Sequence, residues 1–369
     1  MDINPRIEIN LEKIRHNAMI LKELYGKQGI QITGVVKGVV ANPKVAKILI
    51  ECGIESLADS KISNIEKMKK AKLKATFILL RTPAMSEVQK VVEYADISMN
   101  TELEVIRALS AEAVRQEKVH QIILMVEMGD LREGIMLKDV PTFIQQVLHM
   151  PCIQIVGIGT NLACFGGAIP TEQNMRVFST FIKSIKKKFS LQLPYVSGGN
   201  SANFNWLMNT KDVGEVNNIR LGESILLGRE TVHGILIPEL FSDAFCFIAE
   251  VIESKLKPSV PFGTQGRNAF GEIVSFQDRG IIRRVILGVG RQDILVSGLT
   301  PLKIFDILGS SSDHIILDTK KINLKPGDEV GFSLDYGAML SAMNSPYINK
   351  VFTLKTLKSA RNLVKNGNF

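Results

Sequence analysis

Lys37 stands at the end of an apolar run, Ile32-Thr33-Gly34-Val35-Val36, and the chain turns just after it at Gly38. A short run rich in β-branched residues and bounded by turn signals reads as a buried strand. A charged amine at the end of such a strand is costly unless it has a partner or a task. One task is nucleophilic, since an amine on a rigid element can form a Schiff base with a carbonyl cofactor. The other reading is a lysine that snorkels out of the strand end, and on the strand alone it is the default. The rest of the chain reverses that order.

Further polar groups recur at the ends of strand-like runs. Ser197-Gly198-Gly199-Asn200-Ser201-Ala202 puts two glycines, an amide and a hydroxyl ahead of a helix expected to begin at Ser201. Gly-Gly lets backbone approach closely, and the amides of a helix start favour an anion. Alone, the same residues make an ordinary turn with a helix cap. Arg220-Leu221-Gly222-Glu223-Ser224 ends the next run. Glu127 to Gly134 and Gly159 to Gly167 end two more, and they contain Arg132, Asn161 and Cys164. Arg132 suits either a substrate carboxylate gripped by both prongs or a structural ion pair. Asn161 is uncharged and fits flat against a ring. Cys164 reads as a small buried hydrophobe or as a reactive thiol. His314, after Asp313, reads as a structural histidine beside a strand or as a base.

The elements that must position these groups alternate. Eight strand-like runs are expected at Ile32–Lys37, Ser56–Asp59, Ala75–Arg81, Asp96–Met99, Gln121–Met128, Ile153–Asn161, Leu193–Ser197 and Asn218–Leu221. Helical stretches lie between them, among them Pro43–Glu51, Ser60–Lys70, Glu102–Gln116 and Thr171–Lys188. A first helix is expected from a cap at Asn10. Strand–helix alternation means parallel strands with right-handed crossovers. Eight of them suggest an α/β fold with a closed (β/α)₈ barrel, a doubly wound open sheet being the alternative. The polar groups above, His314 apart, then gather at one barrel mouth, where such barrels keep their active sites and, after strands seven and eight, a phosphate.

Near residue 235 the texture changes. The runs Phe245–Ser254, Gly280–Val289, Lys303–Leu308, His314–Asp318 and Glu329–Leu334 are separated by turns and predict an antiparallel β domain. The expected division is 1–235 for the barrel and 236–369 for the β domain.

Composition narrows the classes. The formal charge is +8, but the basic residues are scattered and aromatics make up 6%, which argues against nucleic acid. The triplet Lys186, Lys187, Lys188 falls on an amphipathic helix and reads as a solvated face. No signal peptide or membrane-crossing run is evident, so a cytoplasmic location is expected. The four cysteines lack metal-type spacing and are expected to be reduced. No metal site is expected.

Taken together, these motifs resemble the alanine racemase family of fold-type III pyridoxal phosphate enzymes, in particular its ornithine/alanine racemase branch. The resemblance spans nearly the whole chain. Gly34-Val35-Val36-Lys37 is similar to the family's first strand with its Schiff-base lysine. Gly198-Gly199-Asn200-Ser201-Ala202 resembles its phosphate loop. Ile219-Arg220-Leu221-Gly222-Glu223 resembles the stretch whose arginine faces the pyridine nitrogen and whose following amides, at Gly222 and Glu223, hold the phosphate. Gly309 to Asp318 resembles a segment that lines the neighbouring subunit's site, and Leu334-Asp335-Tyr336-Gly337 one whose tyrosine contacts the phosphate. The resemblance implies pyridoxal 5'-phosphate as cofactor, an amino-acid substrate, and a head-to-tail homodimer with shared sites.

The chain also departs from that family. Gly38-Val39-Val40-Ala41 offers no phosphate-binding tyrosine after the lysine. Gly290-Arg291-Gln292-Asp293 carries Arg291 where the family has its second catalytic base, a tyrosine. Asn161 stands where a histidine stacks on the ring. The resemblance therefore implies two-base α-proton exchange with Lys37 as one base and the other open. His314 ranks first and Cys164 second, ahead of Tyr336 and Asp293. Arg291 stays protonated and is better suited to bind a carboxylate. For a basic substrate such as ornithine or lysine, the acidic candidates are Glu133, Glu230, Asp293 and Asp313; alanine is the small alternative. A metal-assisted lyase or dehydratase and a non-catalytic pyridoxal phosphate carrier are the competing readings.

Overall fold

The computed structural model describes residues 4–354. Its packing forms two units, one of residues 13–242 and one of residues 4–12 together with 243–354. The sequence reading had put residues 1–235 in the first and 236–369 in the second; residues 355–369 lie outside the described residues.

The first unit is a closed parallel barrel. Its strands are Gln31–Val35, Ser56–Asp59, Thr76–Leu79, Ile97–Asn100, His120–Glu127, Ile153–Thr160, Tyr195–Ser197 and Asn218–Leu221. Each pairs in parallel with its neighbours, and Asn218–Leu221 closes the ring on Gln31–Val35. Because all eight run the same way, all eight C-terminal ends open on one face. Val35, Ala58, Ile78, Ile97, Met99, Ile123, Met125 and Val156 form a buried cluster, so the barrel is packed and not a pore. The eight expected runs match these strands to within two residues at either end. Lys37 itself lies past the strand, at the start of the 3₁₀ turn Lys37–Val39.

Helices cover the outside of the barrel, and local chemistry sets their starts. Asn42 caps Pro43–Glu51 by accepting from the Lys44 amide at 3.0 Å, with Pro43 as the first helical residue. Thr171 and Asn174 exchange backbone and side-chain bonds to begin Glu172–Phe189. That helix carries Lys186, Lys187 and Lys188 in its last turn, where the helix dipole favours cations. Among the described residues no helix is long and apolar enough to cross a membrane.

The second unit is built on antiparallel pairing, in the order Leu299–Pro301, Glu329–Leu334, Phe245–Pro258, Ile281–Leu287, Ile315–Asp318, Asp306–Ser310. Its first strand was not expected from the sequence, although the helix after it starts where it was expected. Arg6–Asn10 pairs antiparallel with Phe245–Pro258 and in parallel with Asn349–Thr353. Asn10 thus ends a strand, and the helix Leu11–Gly26 follows at once. The strand is bound by burial of Ile7 and Ile9 and by Arg6, whose guanidinium reaches both oxygens of Glu329 at 2.5 and 2.9 Å. That pair holds the Glu329 carboxyl down to about 2. Two residues, Ile7 and Ile9, are too few to announce a strand by alternation. The short helix Tyr336–Asn344, capped by Asp335, was also not expected.

Candidate active site

The barrel mouth collects the groups that the sequence singled out. Lys37 is half-buried, and among the described residues its amine makes no hydrogen bond and no ion pair closer than 4 Å. The turn that carries it is fixed from the neighbouring strand, because the Val36 amide donates to the Ala58 carbonyl at 2.9 Å.

Arg220 is the most constrained group at the mouth. It is 5% exposed. Its Nη1 donates to Ser197 Oγ at 2.6 Å, and its Nη2 donates to the Thr160 carbonyl at 2.9 Å and to Asn161 Oδ1 at 3.1 Å. Its Nε–H is uncommitted among the described residues. Burial pushes the guanidinium down to about 10. It stays charged at neutral pH because its acceptors are aligned. Ser197 accepts from Arg220, so its own proton goes to Asn218 Oδ1, at 2.9 Å. Asn218 Nδ2 donates to Thr33 Oγ1 at 2.9 Å, and Thr33 lies 2.8 Å from Ser56 Oγ. This buried chain of dipoles runs down the barrel interior with its acceptor end toward the cation.

The loops after strands seven and eight are tied together. Ser201 Oγ lies 3.1 Å from Ser224 Oγ and accepts from the Ser224 amide at 3.3 Å. Gly222 precedes the single-turn helix Glu223–Leu227. Gly199 has φ near 143°, and a Cβ there would meet Asn203 Oδ1 at 2.1 Å, so this close approach needs glycine. The expected helix at Ser201 begins as the 3₁₀ turn Ser201–Asn203 and continues as Phe204–Asn209.

Asn161 holds Arg220 with its oxygen and also accepts from Asn200 Nδ2 at 3.0 Å. Asn200 reaches Cys164 Sγ at 3.4 Å. Cys164 is exposed, not a buried hydrophobe. Its loop is organised by Asp130, whose buried carboxylate accepts from the amides of Cys164, Phe165 and Gly166 at 3.0–3.2 Å. Arg132 is ion-paired with the adjacent Glu133, through Nη2 at 2.5 Å among other contacts. Glu230, one of the acidic candidates, is instead consumed by the amides of Val232, His233 and Ile235.

Four buried polar atoms lack a partner at the strand ends or just beyond: Asp59 Oδ2, Asn100 Oδ1, Thr160 Oγ1 and Asn161 Nδ2. A closed protein rarely tolerates this, so the mouth is built to receive a polar ligand. The sequence reading missed Asp59, Asn100, Thr160, Asp130 and Ser197. The signal available was their place, since each falls at the end of a barrel strand or in the loop beyond it. The unbonded amine, the buried arginine and the glycine-lined, serine-bridged loops fit a ring with a phosphate and an aldehyde. Among the described residues no group of three or more His, Cys, Asp or Glu is arranged for a metal ion.

The remaining candidates lie in the second unit. His314 precedes the strand Ile315–Asp318, with Nδ1 2.9 Å from Asp313 Oδ1 and 3.2 Å from Ser311 Oγ. Hydrogen bonds from Ser312 and the charge of His314 lower the exposed Asp313 carboxyl. Arg291 is clasped by Glu272 at 2.9 Å, by Ser310 Oγ at 3.0 Å and by the face of Phe270, 4.4 Å from the ring centre. It edges an open cavity of about 1060 Å³ that Asp293, Ser341 and Tyr347 also line. Asp293 is buried there and accepts from Ser345 Oγ at 2.7 Å. Tyr336 is half-buried at the first position of its helix.

Comparison with known proteins agrees with this geometry. The family model "Alanine racemase, N-terminal domain" matches residues 9–230. An ornithine racemase of Acetoanaerobium sticklandii is 41% identical over 94% of this chain and 99% of its own length. A lysine racemase of Thermotoga maritima is 38% identical over 95% of this chain and 99% of its own. Among solved structures, the alanine racemase of Streptomyces lavendulae superposes with a TM-score of 0.76 at 16% identity, covering 96% of this chain and 99% of that one. From the barrel, its mouth and these matches together, the chain belongs to the alanine racemase family.

Proposed function

We propose that this amino-acid racemase acts on a basic amino acid of the ornithine or lysine type, with alanine as the small neutral alternative, and that it holds pyridoxal phosphate at the barrel mouth. The observation that carries the reading is the pairing of an uncommitted amine, Lys37, with a buried, fully oriented Arg220 at the same mouth. The basic substrate class is supported by the two relatives named ornithine racemase and lysine racemase.

When bound, the cofactor supplies an electron sink that makes the α-hydrogen of an attached amino acid acidic. The protein's part is to place and protect that chemistry. Lys37 would hold the cofactor and, once displaced by the substrate amine, take or return the α-proton on one face. Ser201 and the amides at Gly222 and Glu223 would hold the phosphate, with Tyr336 assigned to it as well. Arg220 would turn its Nε–H toward the ring nitrogen. As a donor that stays protonated, it would keep that nitrogen unprotonated and the sink moderate. Asn161 would line the ring edge.

The second base is assigned to His314, with Cys164 next. His314 is oriented by Asp313, whose Oδ1 lies 2.9 Å from its Nδ1. Arg291 would bind the substrate carboxylate and Asp313 the distal ammonium, while Arg132, occupied by Glu133, would bind a carboxylate only after exchange. This reading includes a head-to-tail homodimer in which the β unit of one copy completes the site of the other.

The test is α-proton exchange. The purified chain with pyridoxal phosphate would be incubated in heavy water with single enantiomers of ornithine, lysine, arginine, alanine and serine. Loss of the α-proton signal with growth of the opposite enantiomer, absent in Lys37→Ala, supports the proposal. No exchange with ornithine, lysine or alanine despite bound cofactor overturns it.

A further inference from the structure

Asp130 lies in the loop after the fifth barrel strand, yet its carboxylate is spent on the loop after the sixth. The residue is buried. Its Oδ1 accepts from the amides of Cys164 and Gly166 at 3.2 and 3.1 Å, and its Oδ2 from those of Cys164 and Phe165 at 3.2 and 3.0 Å. The Gly166 amide also reaches the Asp130 carbonyl, at 3.1 Å. Three successive amides turned toward one point form a concave anion site, here filled by a carboxylate from the neighbouring loop. A Cβ on Gly166 would come within 2.5 Å of the Asp130 carbonyl oxygen, so the two backbones are in direct contact.

Backbone strain brackets this contact. Leu131, next after Asp130, has φ 53°, and Ala163, just before Cys164, has φ 52°. Such values are uncommon away from glycine and persist only where the surroundings fix them. Leu131 is 71% exposed and Ala163 carries only a methyl group, so neither is held by its own side chain. The bonds between Asp130 and the three amides supply the constraint. The rest of the loop is tied down as well. Glu127 Oε1 accepts from the Gly129 amide at 2.6 Å, and a Cβ on Gly134 would meet the Glu127 amide nitrogen at 2.6 Å. Residues 130–133 thus form a short tip pinned on both flanks, and Arg132 and Glu133 ride on it.

We propose that Asp130 is a positioning residue: it latches the loop of Arg132 to the loop that carries Cys164, and so holds Arg132 where a substrate carboxylate can replace Glu133. This deepens the racemase reading and rests on it for the identity of the substrate. With the latch open, the tip would have to be ordered by the substrate itself. That cost falls on affinity for the amino acid and not on the chemical step.

Two variants open the latch by different means. Asp130→Asn keeps the size of the side chain but turns an NH2 toward amides that need an acceptor. Gly166→Ala leaves the carboxylate intact and wedges the two backbones apart. In the full-length chain with pyridoxal phosphate, α-proton exchange of ornithine should show KM raised about tenfold or more, kcat changed by less than about threefold, and cofactor affinity by equilibrium dialysis held within about twofold. Under native conditions trypsin should cut after Arg132 about tenfold faster or more, read by peptide mass spectrometry, because a pinned tip does not enter a protease. An unchanged KM, a loss confined to kcat, or an unchanged rate of cutting at Arg132 overturns the proposal. If Asp130→Asn does not fold, the same readouts in Gly166→Ala decide. A parent chain that exchanges no α-proton sinks the racemase reading, and the trypsin comparison then decides the latch by itself.

Discussion

Ser197→Ala removes a single oxygen from the barrel interior, and its consequence follows from the bonds that oxygen makes. Ser197 Oγ accepts from the charged Arg220 at 2.6 Å and donates to Asn218 Oδ1 at 2.9 Å. Alanine fits the same space, so no cavity term enters. A hydrogen bond to a charged group contributes about 1.5–3 kcal/mol, and the neutral bond to Asn218 about 1 kcal/mol. Both partners are buried and neither reaches water in the native state, so the combined cost is roughly 2–4 kcal/mol. Trp206 is the one tryptophan of the chain and is buried in the barrel unit, so its fluorescence reports this unit's unfolding. With a urea slope of about 2–3 kcal/mol per molar, the midpoint should fall by roughly 1 M. Loss of an acceptor for the charged form should also lower the Arg220 guanidinium further below its present value of about 10. A midpoint within about 0.2 M of the parent would refute the argument that aligned dipoles sustain the buried charge.

Other outcomes follow from the same geometry. Lys37→Ala should abolish α-proton exchange, a loss of at least roughly 10²-fold for one positioned proton carrier. It should leave the thermal midpoint nearly unchanged, because the lost amine bonds to nothing. Burial holds His120 down to about 4, with Ser98 Oγ at 2.8 Å from its ring. A base depressed in the folded state contributes stability that is intact above pH 6.5 and lost as pH falls toward 4, about 3 kcal/mol in all. Urea midpoints measured across that window should slope accordingly, and His120→Gln should flatten the slope. Asp130→Ala frees the amides of Cys164, Phe165 and Gly166, so hydrogen exchange at those three should rise at least tenfold while the barrel strands stay protected.

The barrel was legible because parallel strands buried on both faces read as compact apolar runs between helices. The short fourth strand, expected at Asp96–Met99 and found at Ile97–Asn100, carried little signal of its own, being only four residues long. Lys37, Ser201 and Arg220 were legible by place, each just past or inside a strand at the mouth. What could not be read was commitment. Glu230 and Asp293 are acids in the sequence, but three backbone amides and a serine consume them in the fold. Asp59 looked like the last residue of an ordinary strand, and only its burial and its orphan oxygen distinguish it. The strand Arg6–Asn10 escaped notice because its partners lie in distant sequence, and no local pattern encodes a pairing of that range.

That same strand sets a schedule for synthesis. Arg6–Asn10 is hydrogen-bonded on both sides by strands made much later in synthesis. At roughly 5–20 residues per second, Phe245–Pro258 follows it by about ten seconds to a minute, and Asn349–Thr353 later still. Throughout that interval the whole barrel sequence, residues 13–242, is already available to collapse. The nascent chain therefore carries an unpaired apolar strand, with Ile7 and Ile9 bare, until Phe245–Pro258 has been made. A chaperone that shields the emerging N-terminus should raise the soluble yield of the full chain more than one added after release.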